Sequence, residues 1–290
     1  MAPNRIPNEL RHPGADPGCK TCQGLGLQVV PDGERAAAAP CACVERCPSC
    51  RGTGLVAVGK DFRAPQRRCV CQVVRARWRA FDAVGVPARH AGSTLLSFVD
   101  NNTHQTSMKT AVSAYLREFD PTAENRGLVL FGDVGTGKTH LIVALLRDLV
   151  LRHGVRVKFV EFSHLLADLK SGFDIGRGMA ALIDPLVDVD VLAIDELGKG
   201  RNTEFEGTVL DELVSRRYNA MRPILATTNY GERKTGRARA NAAAVQVGIE
   251  ATPGLADRVG DRVYSRLRET CDFLKVQGED HRMRKGRQRG

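Results

Sequence analysis

Short apolar runs alternate with longer amphipathic stretches through the second half of the chain. Five runs have the length and composition of buried strands, at positions 128–131, 157–160, 191–194, 224–227 and 273–276. Continuous apolar strands separated by helical segments are typical of a parallel sheet that helices cover on both faces. The pattern therefore predicts an α/β fold with a five-stranded parallel sheet, in which ligands bind at the carboxyl ends of the strands.

Two amphipathic helices accompany these strands. One is predicted around residues 108–119, where apolar side chains recur at helical spacing until Pro121 ends the helix. The other is predicted to begin at Thr252 and Pro253, an N-cap residue followed by a first-turn proline. It carries a buried stripe of Leu255, Val259, Val263 and Leu267, and a basic stripe of Arg258, Arg262 and Arg266.

The N-terminal part of the chain, up to position 75, lacks this alternation and carries eight of the nine cysteines in two copies of one pattern. Cys19, Cys22, Cys41 and Cys43 recur 28 positions later as Cys47, Cys50, Cys69 and Cys71. Each CxxC and CxC combination supplies the four thiolates of a tetrahedral zinc site. The apolar stretch and turn at 27–33 predict a β-hairpin between the two pairs. We expect two zinc ions, one per repeat; the alternative is a nested pairing of the outer four and the inner four cysteines.

Composition limits the location and the partners of the chain. With 290 residues, 42% of them hydrophobic, it can form a large domain and a small one. No run reaches the roughly 18 apolar residues of a membrane span, and the first twenty residues lack a signal-peptide core. A cytoplasmic location without membrane contact is therefore expected, and there cysteines favour metal over disulfides.

The net charge of +10 favours a polyanionic partner, nucleic acid first. Aromatic residues are only 5% of the chain, so the phosphate backbone is a better expected target than stacked bases. Basic residues concentrate in three segments, at 60–89, 231–251 and 281–290. We expect DNA contacts there; solvated basic surface is the alternative for the first segment, and disorder for the second.

A glycine-rich segment between the first predicted strand and an apolar helix fits the phosphate-loop pattern. Its glycines let backbone N–H groups turn toward phosphates, and the helix N-terminus adds to the attraction. The expected nucleotide-binding residues are Gly132, Asp133, Val134, Gly135, Thr136, Gly137, Lys138, Thr139 and His140. Lys138 is expected to reach the β- and γ-phosphates of ATP, and Thr139 to ligate Mg²⁺.

Two further predicted strands end in polar residues at the same edge of the sheet. The run 191–194 leads into Asp195 and Glu196. We expect Asp195 to hold Mg²⁺ and Glu196 to polarise the attacking water. The run 224–227 leads to Asn229, which is expected to orient that water; the alternative is a simple turn residue.

Five segments together resemble the AAA+ ATPases, and more narrowly the DnaC-type helicase loaders and the IstB-type transposition ATPases. They are residues 132–140, 191–198, 217–223, 227–229 and 260–268, within a match from about residue 86 to 282. The resemblance implies that Asn229 acts as the first sensor and Arg266 as an arginine finger, with Arg262 as the alternative finger. It also implies an ATP-dependent homo-oligomer that contacts single-stranded DNA and delivers a partner.

The CxxCxGxG units resemble the zinc-binding region of DnaJ-type co-chaperones over about fifty residues, although the CxC pairs depart from that pattern. The expected organisation is a flexible tail over 1–18, a zinc-binding domain over 19–75, a linker and leading helix over 76–125, an AAA+ ATPase domain over 126–282 and a basic tail over 283–290. The leading functional hypothesis is an ATP-hydrolysing loader of a replicative DNA helicase. The alternatives are a helper ATPase of a transposase and a zinc-dependent interaction protein that ATP switches.

Overall fold

The computed structural model describes residues 11–59, 64–100, 102–174, 178–232 and 253–281. The predicted basic segment at 231–251 lies outside these residues from position 233 onward, and so do the C-terminal tail from 282, Lys60 and Arg63. The chain forms two compact units. The first comprises Met1–Thr94 and Val143–Val157, and the second comprises Leu95–Ile142 and Lys158–Gly290.

Two antiparallel hairpins and a helix make up most of the first unit. Strand β1 (Leu27–Asp32) pairs with β2 (Arg35–Pro40), and β3 (Leu55–Ala57) pairs with β4 (Gln66–Arg68). Gly33 adopts a φ of 56° in the tight turn of the first hairpin, a conformation that glycine accepts without strain. The hairpin predicted between the first two cysteine pairs is confirmed.

Helix α1 (Val70–Asp82) completes the first unit and packs beside the first hairpin. Its buried face includes Trp78 and Phe81, the aromatic pair of the predicted basic segment. The backbone N–H of Ala38 donates to the Asp82 carboxylate at 2.6 Å, and that of Ala36 donates to the Val86 carbonyl at 2.8 Å. The two aromatic side chains therefore contribute to the core of the unit that carries the cysteines.

A five-stranded parallel sheet forms the centre of the second unit. Its strands are β5 (Gly127–Phe131), β6 (Val157–Glu161), β7 (Val191–Asp195), β8 (Ile224–Thr228) and β9 (Cys271–Lys275), in the order β6-β7-β8-β5-β9. All five predicted strands are confirmed, with ends displaced by one or two residues. Cys271, the ninth cysteine, is buried at the start of β9. The carboxyl ends of β5, β7 and β8 thus lie side by side.

The helices follow the predicted alternation with the strands. They are α2 (Thr103–Glu118), α3 (Lys138–Asp148), α4 (Phe162–Asp174), α5 (Met179–Asp188), α6 (Glu204–Asn219), α7 (Leu255–Val259) and α8 (Asp261–Thr270). A short π-helical segment, Leu149–His153, follows α3. Aliphatic side chains of α4, α5, α6 and α8 pack with those of β7 and β8 into one core. None of the described helices is long and apolar enough to cross a membrane.

The prediction of one continuous helix from Thr252 is wrong in one respect, because the structure has two helices that are separated at Gly260. This residue has a φ of 84° and a ψ of 153°, which ends α7 and starts α8. Thr252 lies outside the described residues, and Gly254 is the N-cap of α7 instead. The predicted apolar stripe is buried, since both helices turn the same face to the core. As a result, Arg258 lies on α7, and the two other arginines of the basic stripe lie on α8.

Arg217, in one of the segments that resemble the AAA+ ATPases, is fully buried on α6. Its guanidinium donates to five backbone carbonyls, those of Leu186, Val187, Val189, Asp190 and Pro223. Burial lowers its pKa to about 9. Because these carbonyls precede β7 and β8, Arg217 fixes the amino ends of the two strands whose opposite ends carry the polar residues.

Candidate nucleotide site and cysteine clusters

The phosphate loop follows β5 directly and leads into α3. Gly132 has a φ of 142°, and a side chain there would collide with the Val276 carbonyl, so only glycine fits. The Lys138 ammonium donates to the carbonyls of Gly132 and Asp133, at 2.8 Å and 2.6 Å. Lys138 is 7% exposed, and its charge therefore lies within the loop, at the start of α3.

Asp195 connects three elements at the end of β7. Its carboxylate accepts hydrogen bonds from the hydroxyls of Thr139, at 2.9 Å, and Thr227, at 2.5 Å. Burial raises the pKa of Asp195, and the two hydroxyl hydrogen bonds partly offset that rise. The predicted magnesium ligands Thr139 and Asp195 are thus in direct contact. Their oxygen atoms are the donor type that Mg²⁺ prefers.

Glu196 follows in a left-handed conformation, with a φ of 55°. Such a conformation is uncommon for a residue with a side chain and occurs often at active sites. The Glu196 N–H donates to the Thr227 hydroxyl at 3.0 Å, and its carboxylate forms an ion pair with Lys199. This hydrogen-bonded ion pair raises the pKa of Lys199. The geometry holds two adjacent carboxylates in different surroundings, one buried and one partly exposed.

Asn229 lies immediately after β8 and is exposed. Since β8 is the neighbour of both β5 and β7, the residue shares the sheet edge with the loop and with Asp195. The preceding Thr228 donates to the Leu197 carbonyl at 2.8 Å and accepts from the Tyr230 N–H at 3.2 Å. The backbone around Asn229 is therefore fixed against the segment that follows β7.

Two segments that the sequence analysis did not assign to the site contact the phosphate loop. The Phe98 ring approaches Gly137 and packs edge-on against His140, with ring centroids 5.5 Å apart. After β9, the His281 N–H donates to the Gly135 carbonyl at 3.1 Å, and the Asp280 carboxylate lies against Gly135. The C-terminal part of the described chain thus covers the loop and brings a negative charge to it.

The arginines of the predicted basic stripe have different partners. Arg258 donates to the carbonyls of Gly198 and Gly200, just after the Asp195–Glu196 pair. Arg266 donates to the Asp211 carboxylate at 2.8 Å, and Arg262 lies 3.8 Å from the same carboxylate. Both residues predicted as the arginine finger, Arg262 and Arg266, therefore interact with the Asp211 carboxylate on α6 of the same chain.

The cysteine sulfurs form two groups, each from one repeat. Within each group of four, all sulfur atoms lie within 4.8 Å of one another. The Cys19–Cys41, Cys22–Cys43, Cys47–Cys69 and Cys50–Cys71 sulfur pairs are 3.8, 3.5, 3.6 and 3.5 Å apart. Zinc–sulfur bonds of about 2.3 Å in a tetrahedron give sulfur–sulfur edges of about 3.8 Å. Both groups fit this geometry, and the sulfurs follow the pairing of one group per repeat.

The two repeats also share their backbone conformation. In the first, the N–H groups of Gln23 and Cys41 donate to the carbonyls of Cys19 and Gly26. In the second, the equivalent bonds run from Arg51 to Cys47 and from Cys69 to Gly54. Burial raises the pKa of the Cys22 thiol, and the hydrogen bond that its sulfur accepts from the Gly26 N–H offsets part of that rise. The Cys22 N–H contributes most to lowering the pKa of the Cys19 thiol, to about 6. N–H bonds to sulfur favour the thiolate that zinc requires.

Comparison with known proteins agrees with this arrangement. The IstB-like ATP-binding protein family matches residues 90–244. The replicative helicase loader DnaC of Escherichia coli (strain K12) is 28% identical over 152 residues, which are 52% of this chain and 61% of that protein. The DnaC of Buchnera aphidicola subsp. Schizaphis graminum is 28% identical over 167 residues, 57% of this chain and 58% of that protein. The chain thus spans about three fifths of the length of these two relatives.

Solved structures give the same result for the fold. The crystal structure of the DnaC helicase loader covers 65% of this chain and 99% of its own, with a TM-score of 0.54 and 27% identity. A DNA replication initiation factor aligns with a TM-score of 0.51 over 68% of this chain and 53% of its own. Its 18% identity supports the shared fold alone. The predicted AAA+ core is confirmed, and the chain belongs to the IstB-like ATP-binding protein family.

Proposed function

We propose that the chain is a cytoplasmic ATPase that loads a replicative helicase onto single-stranded DNA. One observation carries the proposal. The chain aligns over 65% of its length with nearly the whole of a helicase-loader structure, and it also has a complete phosphate loop and the Asp195–Glu196 pair. An intact pair argues for hydrolysis rather than for nucleotide binding alone. The helicase partner is inferred from relatives that the chain matches over part of their length.

ATP binds in this proposal with its phosphates on the loop. The Lys138 ammonium releases the carbonyls of Gly132 and Asp133 and donates to the β- and γ-phosphates instead. The backbone N–H groups of the loop also donate to these phosphates. Thr139 and Asp195 hold Mg²⁺, as their contact through hydroxyl and carboxylate supports. The ion, when bound, neutralises charge on the phosphates.

Glu196 is the proposed general base for the attacking water. In the described chain its carboxylate forms an ion pair with Lys199, which occupies an oxygen that would otherwise contact the water. Hydrolysis therefore requires Glu196 to turn from Lys199 toward the γ-phosphate, while Asn229 positions the water. Arg266 acts as the finger on a neighbouring subunit's phosphate within an ATP-dependent homo-oligomer, and it must leave Asp211 to do so.

The eight clustered cysteines hold two zinc ions with a structural role. Four thiolates around each ion leave no open position for a substrate, so the metal stabilises the hairpins and does not take part in catalysis. We assign partner binding to this domain, over the expected limits 19–75.

A second function is favoured by the family match itself. The family that matches residues 90–244 is that of the IstB-like ATP-binding proteins. Under this second function, the chain acts as a helper ATPase of a transposase. The loop and the acidic pair are the same in both cases, and only the partner differs. The third hypothesis is an interaction protein that uses ATP binding only as a switch. The complete Asp195–Glu196 pair argues against it, because binding alone does not require a general base.

The response of hydrolysis to DNA tests the proposal. We expect single-stranded DNA and the host's replicative helicase to increase the rate of ATP hydrolysis several-fold. Normal hydrolysis with no response to either addition would contradict the loader function. A response to DNA and to the transposase of the same host, but not to the helicase, would favour the second function.

Thr227 is expected to support catalysis without touching ATP. Its hydroxyl donates to Asp195 and accepts from the Glu196 N–H, so Thr227→Val removes both contacts. Hydrogen bonds to charged groups are worth about 1.5–3 kcal/mol, which corresponds to a decrease in kcat of roughly 10- to 100-fold. Steady-state kinetics would measure the decrease, and Thr227→Ser should restore most of the rate. A Thr227→Val chain with the original kcat would refute this role.

Asp280 is expected to weaken nucleotide binding, because its carboxylate lies against Gly135 of the phosphate loop. One like charge near the polyphosphate costs about 1 kcal/mol, so Asp280→Asn should bind ATP about fivefold more tightly. Titration with a fluorescent ATP analogue would measure this, with Glu279→Gln as the control for charge removed at the neighbouring position. Equal affinities in both variants would show that Asp280 does not face the phosphates.

A further inference from the structure

The loop between β7 and α6, residues 196–203, sets the position of the proposed general base, Glu196. Glu196 and Asn202 both have left-handed backbone conformations, with φ of 55° and 60°. Residues with side chains keep such conformations only where surrounding contacts hold them. The Glu206 carboxylate on α6 supplies contacts at the end of the loop, where it accepts from the N–H groups of Arg201 and Asn202 at 3.1 Å and 2.8 Å. The part of the loop next to Glu196 is held from a different element.

Arg258 on α7 holds that part of the loop. Its Nε donates to the Gly198 carbonyl at 2.9 Å, and its Nη2 donates to the Gly200 carbonyl. These two carbonyls lie on either side of Lys199 in the sequence, and the Lys199 ammonium forms the ion pair with Glu196. The Lys199 N–H also donates to the Glu196 carbonyl, at 2.9 Å. The guanidinium therefore fixes the turn that begins at Glu196.

The same guanidinium contacts the segment that carries Asn229. It lies over the Tyr230 ring, with 5.2 Å between the guanidinium carbon and the ring centroid. The Tyr230 ring also lies close to Gly198, where an added Cβ would be 3.4 Å from the ring and 3.0 Å from the Arg258 Cβ. Arg258 thus joins the loop of Glu196 to the residue that follows Asn229.

We propose that Arg258 is a positioning residue for ATP hydrolysis, which keeps Glu196 and Asn229 aligned with each other on the attacking water. The inference rests on the proposed function, in which Glu196 is the general base and Asn229 positions the water. Arg258 acts through the loop carbonyls and the Tyr230 ring, and not on the phosphates. Its role therefore differs from that of Arg266, the proposed finger.

Arginine suits this role because its guanidinium is planar and carries its donors in a fixed fork. It can donate to two carbonyls while one of its faces stacks on an aromatic ring. A lysine ammonium is a compact charge on a flexible stem, and a glutamine amide is uncharged. We therefore expect Arg258→Lys to keep part of the function and Arg258→Gln to lose most of it.

Steady-state ATP hydrolysis by the full-length, zinc-loaded chain, without DNA or helicase, tests the proposal. We expect Arg258→Gln to decrease kcat about 10- to 100-fold, because a displacement of about 1 Å at a catalytic group can cost about 100-fold in rate. The KM for ATP should stay within about twofold, since the phosphate loop is unaltered. Arg258→Lys should have an intermediate kcat. Arg268→Gln is the matched control, because Arg268 contacts a ring and a carboxylate outside the loop, Phe273 at 4.7 Å and Glu232 at 3.0 Å, and it should keep the original kcat.

Dependence on Glu196 separates positioning from a merely structural role. In the Glu196→Gln chain, the addition of Arg258→Gln should decrease the residual single-turnover rate by no more than about twofold, because residues that act as a unit are not additive. A further loss as large as that in the unaltered chain would overturn the proposal. An unchanged kcat in Arg258→Gln would overturn it as well, and so would a KM that rises in step with the fall in kcat.

The outcomes also separate Arg258 from the proposed function. ATP affinity and the unfolding temperature of each variant show whether it is folded, and if Arg258→Gln is not, the same comparisons apply to Arg258→Lys. A failure of the Arg258 prediction would leave the loader function intact, because the assay contains neither DNA nor helicase. Absence of hydrolysis by the unaltered chain would instead contradict the proposed function itself.

Discussion

Glu196→Gln is expected to decrease ATP hydrolysis at least about 100-fold, while the affinity for ATP stays within about twofold. A positioned general base contributes about 10²- to 10⁴-fold to a rate, and the amide cannot accept the proton of the attacking water. The amide keeps the size of the side chain and can still contact Lys199, so the left-handed backbone at this position is not disturbed. Single-turnover hydrolysis and ATP titration would measure the two quantities.

The control for this variant is Glu204→Gln, which removes an exposed carboxylate from the first turn of α6. It should hydrolyse ATP at the original rate. If Glu196→Gln also kept that rate, the general base would be another residue. If it lost ATP binding instead, Glu196 would act in the binding of the nucleotide.

Zinc content is expected to follow the grouping of the sulfurs when two cysteines are replaced together. Cys22→Ser with Cys41→Ser removes ligands of one group, so one zinc ion should remain per chain. Cys22→Ser with Cys69→Ser removes a ligand from each group, so none should remain tightly bound. A nested pairing predicts the reverse, because Cys22 and Cys69 would then share a site. Metal analysis of the purified variants distinguishes the two.

Cys271→Ser is the matched control for these replacements, since Cys271 is buried in the second unit and outside both groups. It should retain two zinc ions. Structural zinc contributes roughly 10–16 kcal/mol to the folding of small zinc domains, so loss of an ion should unfold the hairpin that held it. Binding of ATP, which depends on the second unit, should remain. Two ions retained in every double variant would refute thiolate coordination.

Local patterns were sufficient to predict the strands, the phosphate loop and the acidic pair. Each depends on neighbouring residues: an apolar run for a buried strand, and glycines followed by Lys138 and Thr139 for a loop that opens a helix. The internal repeat likewise predicted the cysteine groups, although spacing alone left their pairing open. The sulfur positions agree with one group per repeat.

Contacts between distant segments could not be predicted in this way. Thr227 has the sequence context of an ordinary strand residue until β8 is placed beside β7, where its hydroxyl meets Asp195. Phe98 and Asp280 reach the phosphate loop from segments far before and far after it in the sequence. The division between α7 and α8 was missed because the apolar stripe continues through Gly260, and only its backbone conformation shows the break.

Transfer of the host's replicative helicase onto single-stranded DNA coated with the host's single-strand-binding protein tests the central claim most directly. Unwinding of a forked DNA by the helicase reports successful transfer. We predict rapid unwinding with the chain and ATP together, and only background unwinding without the chain or with Lys138→Ala. Unwinding that is equally fast with and without the chain would contradict the proposal that it is a helicase loader.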